Sequence, residues 1–169
     1  LCHARAAGHQ VVALATFAPL KPRFLAHPLP LVRRQAAALG LPHLLVTIEA
    51  PFDLGYERAL AKLKEEWQLD GVVTGDIDCV GGAPNWIRER CQPLGLTVHT
   101  PLWQQSRQAL LADMLARGIV AHLSCVDTRV LAPEWVGRIL DAATLSELQQ
   151  LAEPLKKNGY GQYLLSLLK

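Results

Sequence analysis

The stretch GVVTGDID, residues 71–78, passes from an apolar run through Gly75 directly to Asp76, with a second acid at Asp78. This pattern is typical of the end of a buried strand, where open parallel sheets place their ligand-binding residues. Glycine lets the backbone approach a ligand closely or take a positive φ, and the carboxylate can accept hydrogen bonds from a ribose or an amine, or help to hold Mg²⁺. On spacing alone, an equally good interpretation is that Asp76 caps the next turn and that Gly75 only permits the bend.

Apolar, strand-like runs alternate with amphipathic helices on both sides of this stretch. Nearly continuous apolar runs suit strands that are covered on both faces, and their alternation with helices predicts βαβ units. The fold class predicted is therefore α/β, an open parallel sheet with helices on both faces. The strands are expected at 11–17, 43–49, 71–76, 96–100 and 119–126, and the helices at 30–39, 54–68, 84–94 and 106–117. Asp53 is expected to cap the helix at 54–68.

The alternation stops near residue 127, which divides the chain into two predicted parts. Residues 1–126 form the α/β domain, and residues 127–169 form a small, mostly helical C-terminal segment. Helices are predicted there at 133–141 and 144–157, and Thr144 and Glu147 have the spacing of a capping box. At the other end, LCHARAAGHQ (1–10) is typical of the last turns of a helix that Gly8 stops.

Composition excludes several classes of protein. The net charge is +2, so neither a nucleic-acid-binding face nor a polybasic membrane segment is indicated, and no apolar run is long enough for a membrane span. The four cysteines are scattered without a CxxC pair, which fits a reducing cytoplasm, and the six histidines show no ligand spacing. No metal site is predicted from these residues, and the oligomeric state is left open.

Six segments together resemble a known family. VVALATF, RRQAAALGLPH, GVVTGDID, LGLTVHTPLW, LLADMLARGIVAHL and WVGRILDAATLSEL occur in the order and roughly the spacing of the ATP-pyrophosphatase family that includes diphthine–ammonia ligase. The resemblance covers about residues 5–155 and is nearer to bacterial relatives of unassigned substrate. It depends most on the combination of GDI, PLW and GR-x-LD in this order.

The resemblance implies a HUP-type sheet that binds ATP, with Mg²⁺ as the accompanying ion. Enzymes of the family activate a carboxylate by attack on the α-phosphate, which releases pyrophosphate, and ammonia then displaces AMP to leave an amide. Residues 1–126 would then be the nucleotide-binding domain of an AMP-forming amide ligase, with ATP and a carboxylate-bearing substrate as its partners. Such chemistry needs a pyrophosphate cradle of backbone N–H groups and a pocket that aligns the carboxyl with the α-phosphorus.

Individual residues match positions in the family's motifs. On the nucleotide side, Thr16 and Phe17 match the place that receives adenine, His27 matches a histidine near the nucleotide, and Gly75, Asp76 and Ile77 match the GDI motif. On the substrate side the matching residues are Trp86, Trp103, Gly137, Arg138 and Asp141. Other interpretations stay open, because the aromatic residues could equally fill the core and an Arg–Asp pair three apart on a helix could be a surface ion pair.

Three departures from the family leave a second function open. The family's pyrophosphate-binding SGGKDS loop is expected upstream of Leu1, together with a strand and most of a helix. VGGAP (80–84) stands where many relatives have basic residues, and Gln162 in GYGQY (159–163) stands where a glutamate is expected. The alternative is an adenine-nucleotide-binding or regulatory module without catalysis. A flavodoxin-like or dehydrogenase domain is disfavoured, because no glycine-rich loop follows the first visible strand.

Overall fold

The structure is a computed structural model that describes residues 1–22, 24, 28–79 and 85–155. His27, VGGAP and the tail with Gln162 lie outside the described residues. Contacts divide the chain into two compact units, Leu1–Trp103 and Gln104–Lys169. The boundary predicted between residues 126 and 127 falls inside the second unit and stays a prediction.

The described strands of the first unit form two separate parallel pairs. β1 (Leu14–Ala18) pairs with β2 (His43–Thr47), and β3 (Gly71–Val73) pairs with β4 (Thr97–His99). The predicted α/β class and the parallel pairing of these neighbours are confirmed. A single open sheet is not seen among the described residues, because no backbone hydrogen bonds join one pair to the other.

Four helices of the first unit match predicted segments or their ends. They are α1 (Cys2–Ala6), α2 (Leu29–Ala38), α3 (Phe52–Trp67) and α4 (Trp86–Cys91), the last continuing as a 3-10 turn at Gln92–Leu94. Gly8 and Gly40 follow α1 and α2 with φ of +83° and +67°, the left-handed conformation that favours glycine after a helix. The prediction that Asp53 caps α3 is wrong. Pro51 is the N-cap, and the Asp53 carboxylate accepts from Leu54 N–H inside the first turn.

The core of the first unit lies between α3, α4 and the β3–β4 pair. Leu60, Cys91 and Leu96 are its buried members. Five half-buried apolar residues pack against them: Phe17, Leu69, Val72, Leu94 and Val98. The core therefore holds the first turn of α4 beside the carboxyl end of β3, which is where the candidate site lies.

The second unit departs most from the predicted pattern. The helices of its described part are α5 (Arg107–Ala116), which Ser106 caps, and α6 (Ala142–Ala152). The predicted strand at 119–126 is wrong, because His122 makes only an isolated antiparallel bridge to Ile139. Ile119 and Val120 are 43% and 67% exposed, so the apolar run there does not reflect burial.

The predicted helix at 133–141 is also wrong. Only a 3-10 turn forms, at Pro133–Trp135, and Gly137 then takes a φ of +88° that ends any helical path. The chain turns back so that Leu123 N–H donates to Arg138 O and Leu140 N–H donates to Ala121 O. Among the described residues, no helix has both the length and the apolar character that crossing a membrane requires.

Candidate functional site

Polar side chains gather where β3 and β4 end. Asp76 comes three residues after the last residue of β3, and Thr100 directly follows β4. Asn85 precedes α4 and is its N-cap, with its side-chain oxygen 3.2 Å from the Arg88 N–H. Because β3 and β4 are parallel, their carboxyl ends share one edge, and α4 begins beside that edge.

The Asp76 carboxylate is held by side chains and is open to solvent. Its Oδ2 accepts from the Thr74 hydroxyl at 2.8 Å and from the Asn85 amide at 3.1 Å. Both donors are neutral, so the negative charge is not compensated by either of them. Within the described residues no backbone N–H donates to Asp76, so it does not act there as a helix cap. Oδ1 is left to accept from a ligand.

Gly75 does not have the conformation that would make glycine necessary for the turn. It is absent from the described residues with a positive φ, and a Cβ built on it meets no atom within 4 Å. An alanine would therefore fit the fold at this position. A positive φ is therefore ruled out as the reason for a glycine at this position.

An aromatic cluster lies next to the polar group. The rings of Phe17 and Tyr56 stack with centroids 4.8 Å apart, and the Tyr56 and Trp86 rings meet edge to face at 4.6 Å. Burial raises the pKa of the Tyr56 hydroxyl. Trp86 is 42% exposed, so one part of its indole packs on the protein and another part is free to stack on a ligand.

Two arginines of α4 complete the surroundings. Arg90 lies 5.9 Å from the centre of the Trp86 ring and pairs with Glu57 at 3.0 Å and with Glu89 at 3.6 Å. Arg88 instead donates from its guanidinium to the Thr100 hydroxyl at 2.6 Å. The two side chains thus differ in charge compensation, although they are two residues apart.

The structure brings some of the predicted site residues together and separates others. Phe17 and Trp86 join through Tyr56, and Asp76 joins Trp86 through its neighbour Asn85. Thr16 is not part of this group, because its hydroxyl is hydrogen bonded to the His43 ring at 2.9 Å and neighbouring strand residues point to opposite faces. Ile77 and Trp103 are half-buried, and Trp103 N–H donates to Thr100 O in the turn after β4. His27 lies outside the described residues.

Gly137, Arg138 and Asp141 lie in the second unit, where the two charged residues have separate partners. Arg138 pairs with Glu147 through two hydrogen bonds of 2.9 Å and stacks on the Trp135 ring at 4.0 Å. Asp141 caps α6, and its carboxylate accepts from Thr144 N–H at 2.8 Å. The suggested Arg138–Asp141 pair on a helix is therefore wrong, and so is the capping box of Thr144 with Glu147. The Thr144 N–H lowers the pKa of Asp141, and Arg138 lowers the pKa of Glu147.

Sequence reasoning missed the residues that organise the site. They are Tyr56, Thr74, Asn85, Arg88 and Thr100. Asn85 carried a usable signal, since asparagine just before an amphipathic segment is a preferred N-cap. Tyr56 did not, because in α3 it falls on the same apolar stripe as core residues. The Arg88–Thr100 contact joins residues on different elements and leaves no spacing signature.

The described residues do not form a metal site made of protein side chains alone. They contain no group of three or more His, Cys, Asp or Glu side chains placed to hold a metal. Mg²⁺ that travels with a nucleotide is usually held by one or two carboxylates and by the phosphates themselves. Asp76, with a free Oδ1, could supply one such carboxylate.

Comparison with known proteins gives no assignment: no family model matches the chain, and no curated protein matches it either. The resemblance to ATP pyrophosphatases therefore rests on the motifs in the sequence.

Proposed function

We propose that the first unit binds an adenine nucleotide and serves as the ATP-binding domain of an AMP-forming, ATP-dependent amide ligase. One observation carries the proposal. Asn85 donates to the uncompensated carboxylate of Asp76 at the carboxyl ends of parallel strands, and the half-exposed indole of Trp86 follows Asn85 directly. A base with a flat apolar face and a sugar with free hydroxyls need this combination, a stacking surface next to a hydrogen-bond acceptor.

The residues have separate tasks in this proposal. The exposed part of Trp86 stacks on adenine. Tyr56 packs edge to face against the indole and keeps it in place, and Phe17 stacks on Tyr56. Asp76 accepts from a ribose hydroxyl or, when Mg²⁺ is bound, contributes one ligand to it. Mg²⁺ would neutralise charge on the phosphates during attack at the α-phosphorus. The open space at Gly75 lets the sugar or phosphate approach the backbone.

Amide formation is the further part of the proposal. The carboxylate of the acid attacks the α-phosphorus, the bond to the pyrophosphate leaving group breaks, and an acyl-adenylate forms. Ammonia then attacks the acyl carbon, AMP leaves, and the amide remains after loss of a proton. This part is supported by the order of the GDI, PLW and GR-x-LD motifs.

The test for nucleotide binding uses Trp86 as the reporter. We expect ATP and adenosine to change the tryptophan fluorescence of the protein, and we expect this response to be lost in Trp86→Phe. Asp76→Asn should weaken binding by about tenfold, the effect of one charge-assisted hydrogen bond, with an unchanged thermal midpoint. Asp70→Asn, an exposed acid just before β3 at its other end, is the matched control and should bind as the unchanged protein does. Equal affinity in Asp76→Asn and Asp70→Asn would exclude a role for Asp76 in binding.

The alternative, a binding module without catalysis, has one observation in its favour. Of the side chains described at the ends of β3 and β4, only Arg88 brings an uncompensated cation, whereas ATP carries several negative charges. A pyrophosphate-release assay with ATP, ammonia and a panel of carboxylic acids separates the two. Nucleotide binding with no release for any acid would favour the module, and release that depends on one acid would favour the ligase.

A further inference from the structure

The guanidinium of Arg88 has a neutral partner, whereas four other arginines of the described residues are ion-paired. Arg90, Arg117, Arg129 and Arg138 each lie within 4 Å of a carboxylate. The chain has 15 acidic side chains, and all of them fall within the described residues. None is in salt-bridge distance of Arg88, whose partner is the neutral hydroxyl of Thr100 at 2.6 Å. The positive charge of Arg88 is thus held in place without being neutralised.

The contact with Thr100 fixes the direction of the guanidinium. Arg88 lies in the first turn of α4, and its backbone N–H donates to the Asn85 side chain. Thr100 lies in the turn after β4, and its carbonyl oxygen accepts from Trp103 N–H at 3.0 Å. Both ends of the contact are therefore anchored by backbone hydrogen bonds. A guanidinium has five N–H donors, so several remain for a ligand after one binds Thr100.

The hydroxyl of Thr100 adds a donor of its own. Since Thr100 Oγ1 accepts from Arg88, its proton is free to point toward a second acceptor. The guanidinium and the hydroxyl thus offer neighbouring donors, and such donors suit the oxygens of a carboxylate or a phosphate. A neutral ligand would gain little from such a pair.

We propose that Arg88 and Thr100 form an oxyanion subsite, which receives a phosphate of the nucleotide or the carboxylate of the acid to be activated. The identity of that anion rests on the proposed function, whereas the subsite itself rests on the contact described. The Asn85 side chain links the two groups, because its amide NH₂ donates to Asp76 and its oxygen accepts from the Arg88 N–H. A ligand with both hydroxyls and an anionic group would have a partner for each.

The test compares Arg88→Gln and Thr100→Val with Arg34→Gln as the control. Arg34 is an exposed residue of α2, so Arg34→Gln removes the same charge at another place on the unit. Calorimetry with ATP, adenosine, pyrophosphate and glutarate reports each part of the ligand separately. We expect Arg88→Gln to weaken the binding of ATP and pyrophosphate by about tenfold and to leave the affinity for adenosine unchanged. Thr100→Val should lose less affinity for the two anions. A loss confined to glutarate would instead identify the carboxylate as the anion.

Several results would overturn the subsite and can be told apart from failure of the nucleotide proposal. The subsite would be refuted if Arg88→Gln bound the anions as tightly as Arg34→Gln does. It would also be refuted if Arg88→Gln weakened the binding of adenosine as much as the binding of ATP. The subsite would likewise be refuted if the protein without substitutions bound none of the anions. Binding of pyrophosphate that is lost in Arg88→Gln, without binding of ATP or adenosine, would keep the subsite and refute the nucleotide site. Thermal unfolding of each variant confirms that the loss is not due to misfolding.

Discussion

Replacing Gly75 by alanine separates a role in the turn from a role in binding. The added methyl meets no atom within 4 Å and Gly75 has no positive φ, so the folded state accepts it without strain. Alanine also lowers the conformational entropy of the unfolded chain, so Gly75→Ala should raise the free energy of unfolding by about 0.4–1 kcal/mol. For a chain of this length that raises the thermal midpoint by about 1–4 °C. If a nucleotide approaches the backbone here, the methyl occupies its space and affinity should fall by about tenfold or more.

Gly55→Ala is the matched control, because it makes the same chemical change with the opposite expected outcome. A Cβ at Gly55 would overlap the carbonyl oxygen of Glu49, which is backbone and cannot rotate away. The free energy of unfolding should therefore fall by about 1–3 kcal/mol. Thermal scans and fluorescence titrations with ATP and adenosine measure stability and affinity. A Gly75→Ala protein that binds both ligands as tightly as the unchanged protein would refute the argument for close approach.

Two further predictions concern stability. Leu60→Ala removes a core side chain that is 2% exposed, so urea unfolding should show a loss of about 2–5 kcal/mol. In the second unit, hydrogen bonds from Arg129 lower the pKa of Asp127 to about 2, and Asp141 and Glu147 also have lowered pKa values. Stabilisation from carboxylates of this kind is complete above their unfolded pKa and is lost as pH falls through the folded one. Helical circular dichroism should therefore decline between about pH 4 and pH 2, and a signal that is flat across this range would contradict the assignment.

Local sequence signals predicted the first unit well where neighbouring residues decide the structure. Glycine after an amphipathic run marked the ends of α1 and α2, and short apolar runs marked the strands that pair in parallel. The extent of each strand was less predictable, because a strand ends where its partner's hydrogen bonds end. β3 covers only Gly71–Val73 of the predicted 71–76, and Thr74 N–H makes the last bond, to His99 O.

The second unit was mispredicted because long-range pairing overrode local pattern. GRILD lies in the segment 133–141 that was predicted to be helical, but the conformation of Gly137 and the pairing of Leu123 with Arg138 turn it into an extended segment that runs back along the chain. Arg138 then reaches Glu147, nine residues away, and Asp141 is released to cap α6. A pair of opposite charges three apart therefore did not identify its own partner, since helical spacing has meaning only where a helix forms.

The sequence predicted Asp76 as a site residue but not Arg88. The two residues can be tested together, because they are assigned to different parts of one ligand. Asp76 was visible because a strand end and a glycine are local features, whereas the character of Arg88 depends on what is missing around it, a carboxylate. If the assignments are right, the residues act on different parts of one ligand. In titrations without Mg²⁺, Gly75→Ala and Asp76→Asn should weaken the binding of adenosine and of ATP by similar factors, because the ribose is then the group that meets both positions. Only Arg88→Gln should change the ratio of the two affinities, because only it faces an anion. Equal ratios in all three variants would mean that the guanidinium does not meet a phosphate, however strongly each variant binds.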